Sequence, residues 1–205
     1  MMHQRVTLDV FSDYVCPFCR LAEPALHELL KDTQDVDVIW RAFELRPDTV
    51  PPLDPAAAYL HRVWDASVYP LAAKLGVTMK LPPVQPRTRR THEAAHWARS
   101  IGRFDEYHSA LLAAFFERGE NIGDVDVLVA LADALGMPGG DLRPALVSRA
   151  FEQQVIDDEE LARQTDVGSV PAFIANGRYG VIGVQPVEVL RDLIARARAG
   201  TPDGG

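Results

Sequence analysis

Short alternating or β-branched runs sit near the two ends of the chain, and helical spacing dominates between them. Val6-Thr7-Leu8-Asp9-Val10-Phe11, followed by the turn formers Ser12 and Asp13, predicts a first strand. From Pro17 onward, Phe18, Leu21, Ala22, Ala25, Leu26, Leu29 and Leu30 recur at helical spacing, which predicts a helix to about Lys31. Pro17 fits the first turn, where a missing amide hydrogen is harmless, whereas Pro24 lies deeper and predicts a bend. The alternation from Val36 to Phe43 predicts a second strand. Strand, helix and strand make a βαβ unit.

Beyond Pro47, Pro51, Pro52 and Pro55 the pattern turns helical. Helices are predicted over residues 55–75, 87–101, 104–117, 125–135, 142–150 and 151–165, punctuated by Gly76, Pro82-Pro83, Gly102, Gly119 and Met137-Pro138-Gly139-Gly140. No fixed period recurs, which excludes a solenoid. Strand character returns from Val170 to Ala175, Asn176-Gly177 marks a hairpin, and Tyr179 to Ile182 completes it. Val187, Leu190, Leu193, Ile194 and Ala197 then form one face of a last helix, and a polar tail from Gly200 is expected to fray. A lone βαβ unit and a lone hairpin are each too small to bury a core, so the two ends should share one sheet. The expected division is a sheet domain of residues 1–48 and 167–205 interrupted by a helical insertion of residues 49–166.

Composition narrows the function more than the fold. With 47% hydrophobic and 24% charged residues over 205 positions, disorder and fibrous repeats are poor readings. A net charge of −8 repels phosphate backbones and anionic lipid, so neither nucleic acid nor a membrane is an expected partner. No apolar run approaches the roughly 18 residues that span a bilayer. Met1-Met2-His3-Gln4-Arg5 leads into the first strand without a signal-like segment, so a cytoplasmic setting is expected.

The chain's two cysteines, Cys16 and Cys19, enclose Pro17-Phe18 where the first strand gives way to the helix. Cys16 falls near the N-cap and Cys19 one turn on, on the same side. Free amides and the positive end of the helix dipole favour a thiolate at Cys16, which can attack a disulfide; Cys19 can then resolve the mixed disulfide. Pro17 and Phe18 carry no charge and shape the loop. Two other readings use the same spacing: half of a structural zinc site, or inert core thiols. Zinc needs four ligands, no second CxxC exists, and His92 and His96 enclose Glu93-Ala94-Ala95 rather than forming a zinc-protease motif. No metal and no cofactor are expected.

Taken together, these segments resemble the thioredoxin superfamily, specifically the DsbA-like oxidoreductases of the FrnE branch. Cys16-Pro17-Phe18-Cys19 has the active-site pattern, Pro24 the helix-kinking place, and Phe43-Glu44-Leu45-Arg46-Pro47-Asp48 the family's stretch after the second strand. Ala113 to Gly119, Val170-Pro171 and Val181-Ile182-Gly183-Val184-Gln185-Pro186 match further pieces. The resemblance implies an α/β thioredoxin fold with a large inserted all-helical domain, and thiol–disulfide exchange with a protein or small-molecule disulfide.

It further implies that Val170 and a cis Pro171 position the substrate beside the dithiol. Asp166 and Ser169 stand where the branch usually has glycine, and Val184 where it has alanine, which bears on substrate preference. Kappa-class glutathione transferases and 2-hydroxychromene-2-carboxylate isomerases resemble this architecture but use serine at the first catalytic place, so dithiol chemistry is favoured here. Glutathione stays a candidate reductant, and a polyketide- or glutathione-linked isomerase or a redox-sensitive binding protein without turnover are the alternatives. Trp64, Tyr69, Trp97, Phe104, Tyr107, Phe115 and Phe116 are expected in the core rather than a cleft. Glu44 is expected to cap a turn or face water, and Arg20 to be an ordinary exposed helix arginine.

Overall fold

In the computed structural model, which describes residues 5–200, strands from both ends of the chain build a single sheet. β1 (Val6–Ser12), β2 (Val36–Ala42), β3 (Ala172–Ala175) and β4 (Tyr179–Ile182) lie in the order β2-β1-β3-β4. β1 runs parallel to β2 across the helix α1 (Pro17–Asp32) and antiparallel to β3, with Leu8 opposite Ala175 and Phe11 opposite Ala172. The expected sheet is therefore formed. β3 starts at Ala172 rather than Val170 because Pro171 has no amide hydrogen to give a ladder.

The two-residue period of β1 sorts its side chains between two layers. Val6, Leu8 and Val10 pack with Leu26 and Leu29 of α1 and with Leu190, Leu193 and Ile194 of the last helix, α9 (Val187–Ala199). Phe11 points the other way, into a cluster with Cys16, Cys19, Val170, Ala172 and Ala162. Ala162 belongs to α8 (Glu152–Gln164), which lies along the sheet. The sheet is thus covered on both faces.

Between β2 and β3 the chain is helical: α2 (Ala58–Val63), α3 (Tyr69–Leu75), α4 (Arg89–Ser100), α5 (Phe104–Ala113), α6 (Val125–Ala134), α7 (Gly139–Val147) and then α8. The architecture is a thioredoxin-like α/β core with an inserted all-helical subdomain. The insertion has its own core, in which Trp97, Tyr107, Phe115 and Phe116 are buried as the aromatic spacing predicts.

Local details differ from the sequence expectations. Wide π-helical turns at Trp64–Val68 and Ala114–Arg118 interrupt the helices predicted over 55–75 and 104–117. The helix predicted to start at 142 starts at Gly139, inside the expected break, because α7 closes against α6 there: a Cβ on Gly139 would collide with Asp133. Pro24 lies inside α1, which is one helix from Pro17 to Asp32. The tail after Gly200 lies outside the described residues.

Candidate dithiol site

The turn after β1 delivers Cys16 to the start of α1. Its amide donates to the Asp13 carbonyl at 3.1 Å, its backbone is extended at φ −84° and ψ 112°, and it is the N-cap residue without a side-chain capping bond. Pro17 contributes no amide hydrogen to the first turn, and the Cys19 and Arg20 amides donate to the Cys16 carbonyl at 3.1 and 3.4 Å. Both cysteines are free thiols. Both are buried almost equally, exposed by 4% and 3%. What separates them is what they face. Cys16 borders a cleft, and Cys19 lies beneath it against Ser12 and Asp13. Burial first, then a hydrogen bond to Cys16, push the Cys19 thiol well above its ordinary value, against the opposing pull of the Ser12 side chain and the Asp13 backbone.

Val170 meets Cys16 from the far end of the sequence. The Cys16 thiol donates to the Val170 carbonyl over 3.7 Å, and the Val170–Pro171 peptide bond is cis. Pro171 is held from behind by Gly183, whose amide donates to the Pro171 carbonyl at 2.7 Å. Asp166 takes the left-handed conformation at φ 57°, a geometry that aspartate tolerates better than most side chains. Cys16, Pro17, Phe18 and Val170 line a cavity of about 290 Å³. Leu45, Arg46, Leu53, Tyr59, Leu60, Val63 and Trp64 line it as well. Trp64, expected only in the core, serves both places.

Behind the dithiol lies a polar layer that sequence reasoning missed. Asp13 is fully buried; its Oδ2 accepts from the Leu45 amide at 2.8 Å, and its Oδ1 lies 3.4 Å from His92 Nε2. Asp158 of α8 accepts from the Ala42 amide, Arg41 and His96, each at 3.0 Å. Its carboxyl titrates below the usual range: burial alone would raise it, but the bonds from His96, Ala42 and Arg41 win. Glu23 accepts from His108 Nε2 at 2.8 Å, and the same ring's Nδ1 lies 2.9 Å from the Tyr14 hydroxyl. Burial keeps Tyr14 a neutral phenol, while His108 and Arg20 hold Glu23 ionised despite its own burial. His108 therefore donates through Nε2 to Glu23, with Tyr14 holding the other side of the ring. No sequence motif marks these pairs, since the partners lie in different elements.

Glu44 departs from both roles expected of it. It is 7% exposed, and its Oε1 sits 2.5 Å from Arg89 Nε. Burial pushes its carboxyl up to about 7, with Arg89 and His92 pulling down and Glu159 pushing up. Arg20 is not a free surface arginine either, being paired with Glu23 and with Glu117. His92 and His96 serve separate carboxylates, and among the described residues no group of three His, Cys, Asp or Glu side chains converges as a metal centre requires. Among them, too, no helix is long and apolar enough to cross a membrane.

Comparison with known proteins places these features in context. The family described as the DSBA-like thioredoxin domain matches residues 7–195. An uncharacterized protein of Bacillus subtilis, YwbO, is 37% identical over 175 residues, which are 82% of this chain and 86% of the relative. A solved structure of a probable DsbA oxidoreductase from Streptomyces coelicolor superimposes with a TM-score of 0.84 at 22% identity, covering 98% of this chain and 93% of that one. A 2-hydroxychromene-2-carboxylate isomerase superimposes at 0.75 with 18% identity over 93% of this chain and 95% of its own, a likeness of fold alone.

Proposed function

The chain belongs to the family of DsbA-like thioredoxin domains, and from that premise we propose that it is a thiol–disulfide oxidoreductase in which Cys16 attacks and Cys19 resolves. One observation carries the reading: of the two thiols, it is Cys16 that borders the cleft and faces the Val170 carbonyl, with Cys19 held beneath it. In the reductive direction, the Cys16 thiolate attacks one substrate sulfur and the substrate S–S bond breaks. The departing sulfur leaves as a thiolate and takes a proton from water. Cys19 then loses its proton and attacks the Cys16 sulfur, forming the Cys16–Cys19 disulfide as the second substrate thiol leaves. The substrate gains two electrons and the protein loses two, which a thiol reductant such as glutathione restores.

Val170 presents its carbonyl, and Pro17 and Phe18 the cleft wall, to the chain that carries the attacked sulfur. Membership of the FrnE branch belongs to the same proposal, supported by the Phe43-to-Asp48 stretch, of which Leu45 and Arg46 line the cleft. The test is turnover of an insulin-like disulfide with dithiothreitol or glutathione as the reductant. The reading predicts multiple turnovers per protein that are abolished by Cys16→Ser. A folded protein that accelerates neither reaction over the free reductant would overturn it.

A further inference from the structure

Arg46 is the charged residue in the lining of the Cys16 cleft, whose remaining lining is apolar or aromatic apart from Gln85. It is half-buried, and its guanidinium has no carboxylate within ion-pairing distance and no hydrogen bond among the described residues. That isolation is unusual in a chain of net charge −8, where Arg20, Arg41, Arg87 and Arg89 all have acidic partners. A half-buried guanidinium left without a counter-ion is costly unless a ligand supplies one.

The segment that carries Arg46 is held still. Asp13 Oδ2 accepts from the Leu45 amide at 2.8 Å, tying the segment to the turn that carries Cys16. Arg87 Nη1 donates to the carbonyls of Arg46 at 2.8 Å, Pro47 at 2.5 Å and Val50 at 3.1 Å. Fixing the backbone on both sides of Arg46 lowers the ordering cost of a partner binding there.

We propose that the cleft selects disulfides that carry a carboxylate beside an apolar or aromatic body, with the carboxylate on Arg46, the body against Phe18, Tyr59 and Trp64, and the sulfur at Cys16. This rests on the disulfide-exchange reading above and adds the substrate class to it. Guanidinium and carboxylate match as a two-bond fork, stronger in a partly desolvated cleft than in water. A cavity of about 290 Å³ holds the acidic group and a ring, or one residue and its neighbour, rather than a folded surface. The carboxylate can come from a free small molecule or from an acidic residue flanking a peptide disulfide.

The experiment measures second-order rate constants for the reduced full-length protein with two pairs of probes. The first pair is 5,5′-dithiobis(2-nitrobenzoate), which bears carboxylates, and 4,4′-dithiodipyridine, which does not. The second is a mixed disulfide of a short peptide with glutamate beside its cysteine and the same peptide with glutamine. Rates for 2-mercaptoethanol correct for intrinsic probe reactivity. The corrected ratio of acidic to neutral probe should fall about tenfold in Arg46→Gln, recover in part in Arg46→Lys, and shrink with salt in the wild type. A fall in the small-molecule pair, the peptide pair or both supports the proposal and identifies the source of the carboxylate. An unchanged ratio in both pairs, with rapid labelling of Cys16, overturns this inference and leaves the oxidoreductase reading standing. Failure of every probe to label Cys16 overturns both.

Discussion

The sulfur of Cys16 lies within hydrogen-bonding reach, 3.7 Å, of the carbonyl oxygen of Val170, 154 positions further along the chain. Antiparallel pairing of β1 with β3 makes that meeting possible, because Phe11 opposite Ala172 brings the end of one strand to the start of the other. The residues that follow β1 and precede β3 then emerge at the same end of the sheet. A nucleophile on a helix start and a backbone acceptor on a strand approach are thereby fixed relative to each other by a ladder of backbone hydrogen bonds.

That arrangement assigns different fates to the two thiols. Cys19→Ser should accumulate a mixed disulfide at Cys16, since no second thiol lies beneath it to complete the exchange. Cys16→Ser should form no adduct, because a hydroxyl without an activating base is a poor nucleophile. Mass spectrometry after exposure to limiting disulfide reads both outcomes. An adduct on Cys19 in the Cys16→Ser protein would reverse the order of attack.

Resolution should be the alkaline-sensitive step. Burial, the largest cause and one that an adduct on Cys16 leaves in place, raises the Cys19 thiol, so near neutral pH the thiolate is the minor form. In a stopped-flow measurement of mixed-disulfide decay, the rate should climb close to tenfold per pH unit above neutrality. The same shift bears on stability. Below the unfolded thiol value of about 8.5 both states are protonated, so the reduced protein should lose stability as pH rises beyond it. A decay rate flat between pH 7 and 9 would contradict this.

Asp158 should be the polar residue on which attachment of α8 to the sheet most depends. Asp158→Asn keeps the shape but turns an amide nitrogen toward one of three donors and leaves Arg41 with Asp9 alone as its carboxylate, and should cost about 1–3 kcal/mol in urea unfolding. Its pKa lies below the unfolded value, so the stabilisation is fully present above about pH 4 and is lost as pH falls through the folded value. The asparagine variant should lack that acid dependence. Equal unfolding midpoints for the two proteins at pH 7 would rule this out.

Glu44 should act in the opposite sense. Burial raises its carboxyl to about 7, so the folded state holds the proton more tightly than the unfolded chain does. Its contribution should weaken as pH rises from about 4.3, the unfolded value, through 7. Glu44→Gln should therefore gain stability relative to the wild type across that window, most clearly at pH 7 and above. Parallel thermal unfolding curves for the two proteins over pH 5–8 would show that Arg89 neutralises the site completely.

The sequence alone determined the local order of elements and the chemistry of the pair. Ala22, Leu26 and Leu29 declare a helix face, Asn176-Gly177 a hairpin, and Cys16 with Cys19 one turn of dithiol at a helix start, because each signal lies within a few residues and follows from backbone geometry. The tertiary structure decided everything that depends on residues far apart in sequence. It set Val170 against Cys16, closed the cleft with Tyr59, Trp64 and Arg46, and gave Asp158 its three partners in β2 and α4. It also made Glu44 a buried, near-neutral acid rather than a surface cap. Periodicity reports which face of an element is apolar. Which charges meet across two faces, and how much water is left between them, depends on how separate elements pack, and no spacing along the chain carries that information.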